Sequence, residues 1–143
     1  MSLAPVLLIE DNLDDVELTR LAFAEAGIRH PLVVANDGAL ALDWLHARGA
    51  FADRDPNELP ALVLLDLNLP KLDGREVMQA IRANPLLRDL PVVALSSSGE
   101  PFDIDTSFAS GVDSYLQKPV DFVRFIEEMK RLRAQWLDDT RGS

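Results

Sequence analysis

The stretch Leu62-Val63-Leu64-Leu65-Asp66-Leu67-Asn68-Leu69-Pro70 sets four consecutive apolar residues against an aspartate and ends on a proline. An apolar run without alternation marks a strand buried on both faces, the kind found in parallel sheets covered by helices. Two other segments repeat the design. Val6-Leu7-Leu8-Ile9 runs into Glu10-Asp11, and Ser114-Tyr115-Leu116-Gln117 runs into Lys118-Pro119. Each is followed by helical patterning. If these strands lie side by side and parallel, their carboxyl ends share one edge of the sheet, which is where open α/β sheets place their ligands. Three carboxylates and one lysine then meet in one crevice. Such a cluster repels itself unless a divalent cation neutralises it, and its hard oxygen ligands suit Mg²⁺.

The segments between these strands complete the pattern. Residues 13–26 read as a helix, with Asn12 as its cap, Asp14 and Asp15 in the first turn and Gly27 as its stop. Leu18, Ala22 and Ala26 recur at helical spacing on its buried side. A short strand, residues 32–35, follows Pro31. Asp37 then caps a second helix running to about Arg48, with Ala41, Leu42 and Leu45 inward and Gly49 ending it. Residues 49–60 form the one long loop, an elaboration of the surface rather than a domain boundary. Asp73-Gly74 opens a third helix, with Val77, Met78 and Ile81 inward, ending near Asn84-Pro85. A fourth strand spans residues 91–95 and stops at Ser96. Residues 101–110 are poor in helix formers and predict a short, loosely held helix. A last helix starts at Asp121, with Phe122, Phe125, Ile126, Met129 and Leu132 on one stripe. Five βα units in alternation predict an α/β fold: a flavodoxin-like, doubly wound five-stranded parallel sheet of order 2-1-3-4-5 with five helices.

At 143 residues and 48% hydrophobic content, the chain is expected to form one domain over 1–143, with its core at about 4–138 and no output domain. Its 14 Lys and Arg against 24 Asp and Glu give a formal net charge of -10. A surface so acidic repels nucleic acid and anionic lipid, so neither is an expected partner. There is no cysteine, hence no disulfide or thiolate metal site. The N-terminal apolar run turns acidic after four residues and is no signal peptide, and no stretch approaches the roughly 18 apolar residues of a membrane span. A cytoplasmic location is expected.

The residues at the shared edge suit phosphoryl transfer. A carboxylate can attack phosphorus in line, a metal can draw off the equatorial charge, and Lys118 and the Ser96 hydroxyl can hold the remaining oxygens. The two histidines, His30 and His46, both lie away from this edge. Serine at a strand end is often a turn cap, and lysine before proline often a solvated loop residue; the joint pattern outweighs both readings.

With Glu10-Asp11 after strand 1, Asp66 after strand 3, Asp73-Gly74 beyond it, Ser96 after strand 4 and Lys118-Pro119 after strand 5, the chain resembles a response-regulator receiver domain over nearly its whole length. The resemblance implies that Asp66 is the phosphoacceptor of a two-component phosphorelay. It further implies that Asp11, Asp66 and the backbone carbonyl of Asn68 ligate Mg²⁺, that Glu10 acts through water, and that the Lys118–Pro119 peptide is cis. Tyr115 stands at the switch aromatic, and the response is a conformational change of the fourth helix, fifth strand and fifth helix. The opening Glu10-Asp11-Asn12-Leu13-Asp14-Asp15-Val16, the longer loop before strand 3 and Gln135-Trp136-Leu137 resemble single-domain regulators paired with phytochrome-type sensor histidine kinases. Such a protein is a signalling phosphoacceptor rather than an enzyme. Two rivals are a degenerate receiver acting only as a protein-binding module and an aspartyl-nucleophile phosphohydrolase. The retained Asp66, Lys118 and acid pair oppose the first. The second, of haloacid-dehalogenase type, needs an aspartate where Asn68 stands.

A symmetric homodimer is also expected. The last helix is read as running to about residue 138, with Trp136-Leu137 at its tip, Val123 off its stripe, and Glu127, Glu128, Lys130, Arg131 and Arg133 able to set the register of a matching helix. The alternative is that Trp136 folds back on its own domain.

Overall fold

The computed structural model describes residues 3–66, 74–96, 111–117 and 121–137. The expectations for Asn68, for Lys118 with its cis peptide, and for a helix at residues 101–110 lie outside these; Ser96 is described as part of a strand, without its side chain.

Five parallel strands, β1 (Val6–Ile9), β2 (Leu32–Ala35), β3 (Leu62–Asp66), β4 (Val92–Ser96) and β5 (Ser114–Gln117), form one sheet of order β2-β1-β3-β4-β5. The expected topology is therefore the observed one. The uninterrupted apolar runs have their physical reason in the layers. Helices α2 (Gly38–His46) and α3 (Gly74–Ala83) cover one face, packing Ala41, Trp44, Leu45, Val77, Met78 and Ile81 against Leu7, Ile9, Val63 and Leu65. Helix α1 (Leu13–Glu25) and the C-terminal helix (Phe122–Leu132) cover the other, where Val6, Leu8, Leu62 and Leu64 meet Val16, Ala22, Phe23, Phe125, Met129 and Leu132. Successive strand residues thus alternate between two cores, and neither face can be polar.

The helix boundaries follow their caps. The Asn12 side chain accepts from Asp14 N and Asp15 N at the start of α1, and the Asp37 side chain accepts from Leu40 N at 2.7 Å at the start of α2. Gly27, at φ 75, ends α1 as expected. Helix α2 does not continue to Arg48. It stops at His46, and Ala47 rather than Gly49 takes the left-handed cap, at φ 53 and ψ 55. Asp43 decides this: its carbonyl accepts Arg48 N at 3.0 Å and its carboxylate accepts Arg48 Nε at 2.8 Å, which pulls the chain back over the helix end early. Gly49, also at positive φ, opens a 3-10 turn, Gly49–Phe51, within the long loop.

The C-terminal helix also departs from its expected course. It is α-helical only to Leu132 and then widens into a π turn, Arg133–Leu137. Arg133 donates from its guanidinium to Ala26 O at 3.3 Å, joining the turn to the end of α1. The wider winding swings the tip inward: Leu137 is only 4% exposed and Trp136 is half-buried against the same core cluster. The aromatic tip is thus not left open to solvent; it folds back on its own domain.

Candidate phosphoacceptor site

Register carries the acidic residues together. Ile9 of β1 pairs with Leu65 of β3, so Glu10, the residue after β1, arrives level with Asp66, the last residue of β3. One side-chain oxygen each from Glu10, Asp11 and Asp66 lie within 4.8 Å of one another. Glu10 is 1% and Asp66 2% exposed, whereas Asp11 is open to solvent. Leu95 of β4 is the register partner of Asp66, which places Ser96 one residue beyond, at the same carboxyl edge. Next to it β5 pairs Gln117 with Ser96, so β5 ends at the same edge. Tyr115, on β5, is half-buried and packs against the core on the α2–α3 face.

Two buried carboxylates beside a third, exposed one form a site with an interior wall and an open mouth. Ionised carboxylates in low dielectric repel one another strongly, and a small divalent cation is one partner that all three can share. The donor set is all oxygen, which fits Mg²⁺ or Mn²⁺ rather than a soft metal, and the exposed Asp11 side leaves room for the waters such ions keep. The residues therefore fit the expected cation.

Asn12 is the helix cap that its place in the sequence predicts. Its main-chain N–H also donates to Glu10 Oε2 at 3.3 Å. The bond joins residues only two apart, but apolar periodicity and cap preference do not record it.

The family model for the response regulator receiver domain matches residues 6–130. The chain belongs to the response regulator receiver domain family. It is 35% identical over 133 residues to the response regulator Rcp1 of Synechocystis sp., covering 93% of this chain and 88% of Rcp1. The crystal structure of the Mn²⁺-bound form of Rcp1 matches with a TM-score of 0.81 at 34% identity, over 94% of this chain and 95% of that one. Response regulator RPA3017 of R. palustris, described in red light signaling, matches at 0.89 with 38% identity over 95% of both chains. The phosphorylated cyanobacterial phytochrome response regulator RcpA matches at 0.84 with 36% identity over 96% of both. The chain is thus a receiver domain similar to phytochrome response regulators.

Proposed function

We propose that Asp66 accepts a phosphoryl group from the phosphohistidine of a sensor histidine kinase of phytochrome type, at a site that holds Mg²⁺ through Asp11, Asp66 and the Asn68 carbonyl, with Glu10 acting through water. The observation that carries this reading is the convergence of the Glu10, Asp11 and Asp66 oxygens within 4.8 Å, two of them buried and one open. An Asp66 Oδ attacks the phosphorus, the P–N bond of the phosphohistidine breaks with its electron pair leaving on the imidazole, and an acyl phosphate remains on Asp66. Mg²⁺, when bound, supplies the positive charge that lets a phosphoryl dianion approach three carboxylates. Lys118 pairs with the phosphoryl oxygens and Ser96 offers its hydroxyl, both on the strength of their places at the strand ends. Tyr115 then turns toward Ser96, and the surface formed by residues 101–110, β5 and the C-terminal helix changes with it.

The deciding experiment is labelling with acetyl phosphate or a phosphorylated histidine kinase, with and without Mg²⁺. Acid-labile phosphate appears on the unaltered chain only with Mg²⁺, and Asp66→Asn abolishes it. Undiminished labelling of Asp66→Asn overturns the assignment.

A further inference from the structure

Asn12 lies between the acid pair and helix α1 and is bonded to both. Its main-chain N–H donates to Glu10 Oε2 at 3.3 Å, while its side-chain Oδ1 accepts from Asp14 N at 2.9 Å and Asp15 N at 3.2 Å. The residue is extended, at φ -87 and ψ 114, and its carbonyl takes the first helical hydrogen bond, from Val16 N at 3.0 Å. That extended backbone is what aims the N–H back at Glu10. The side-chain cap in turn holds residue 12 out of the helix: without it the first turn either frays or draws residue 12 in, and each outcome redirects the N–H. Glu10 is nearly fully buried, so the direction of its carboxylate depends on the donors around it rather than on water.

We infer that Asn12 is a positioning residue of the cation site: its side-chain cap fixes the main-chain donor that orients Glu10, and losing the cap weakens divalent-cation binding. The inference rests on the proposed Mg²⁺ site. Asp37 provides the internal comparison. It caps α2 at the same edge of the sheet by the same chemistry, with its carboxylate on Leu40 N, and stands apart from the acid cluster.

The test is calorimetric titration of Mg²⁺ into the unaltered chain, Asn12→Ala, Asn12→Ser and Asp37→Ala, with thermal midpoints and initial rates of acetyl phosphate labelling measured alongside. Asn12→Ala should raise the Mg²⁺ Kd roughly five-fold, the scale of one lost cap, with the labelling rate recovering at saturating Mg²⁺. Asn12→Ser, which can cap, should return to within about two-fold of the unaltered chain. Asp37→Ala should lower the thermal midpoint while leaving the Kd in place. A lowered midpoint for Asn12→Ala with an unchanged Kd, or an equal rise in Kd for Asn12→Ala and Asp37→Ala, overturns the role of Asn12 alone. Failure of the unaltered chain to bind Mg²⁺ overturns the cation reading itself.

Discussion

Glu10 and Asp66 bury two carboxylates beside the exposed Asp11. At a separation within 4.8 Å and an effective dielectric of about 20, unit charges on the two buried groups, Glu10 and Asp66, repel by about 3 kcal/mol, partly offset by the donors that hold each, whereas water screens the exposed Asp11. Asp66→Asn, measured without divalent cations, should therefore raise stability by about 1–2 kcal/mol in denaturant unfolding. Mg²⁺ at ten times its Kd should add about 1.4 kcal/mol to the unaltered chain and markedly less to the variant. A loss of stability in cation-free Asp66→Asn would mean that repulsion is not the dominant force at the site. Asp11 separates binding from folding, because its side chain is exposed. Asp11→Ala should change stability by no more than about 0.5 kcal/mol while weakening both Mg²⁺ binding and labelling.

Among the elements, α2 and its loop show how one residue's conformation sets a boundary. Ala47 occupies the left-handed region, where a Cβ is disfavoured, so Ala47→Gly should stabilise the protein by about 0.5–1 kcal/mol, read as a rise in thermal midpoint. Beyond it, Arg54 holds the loop: its guanidinium lies 3.6 Å from the centre of the Trp44 ring and donates to the carbonyls of Trp44 and, at 2.7 Å, Glu58. Burial pushes the Arg54 pKa down while Glu58 and Asp55 push it up, and an arginine stays cationic throughout the working range. Arg54→Ala should speed amide exchange and proteolysis across residues 49–60 and leave Mg²⁺ binding untouched, since the loop precedes β3 and the site follows it. Equal exchange in the two proteins would show that the loop is held by other contacts. At that same N-terminal edge Arg82, on α3, donates to the carbonyls of Arg88, Leu90 and Gly111 and to Asp113, whose carboxylate also accepts Val92 N at 2.8 Å. One guanidinium thus fastens the starts of β4 and β5 at the edge opposite the acids.

At the scale of the whole molecule, the expected two-fold pairing through residues 101–110, β5 and the C-terminal helix stands on a smaller apolar surface than the sequence alone suggests. Leu137 and much of Trp136 are spent on their own core, which among the described residues of the C-terminal helix leaves Val123, 67% exposed, and the charged rows Glu127–Lys130 and Glu128–Arg131. A pair through this face would then rest on charge complementarity more than on apolar area. Light scattering at micromolar concentration should give a dimer that Lys130→Glu with Arg131→Glu shifts to monomer; truncation after Arg133 is the poorer probe, because it also strips Leu137 from the core. A monomer before and after phosphorylation would reserve this face for another partner. What the sequence by itself determined about this protein is the sheet and the place of its site. Uninterrupted apolar runs demand cover on both faces, parallel strands put their carboxyl ends on one edge, and Glu10, Asp11 and Asp66 stand at those ends. Short-range patterns suffice there, because burial and strand direction follow from neighbouring residues. Only the tertiary structure decided that Ala47 rather than Gly49 ends α2, that the last helix widens and turns Trp136 home, and that the Asn12 N–H faces Glu10. The turn of the last helix depends on a partner far along the chain, Ala26 for Arg133; the other two join residues only five and two apart, but the apolar periodicity that locates helices does not record which of several competing hydrogen bonds the backbone takes.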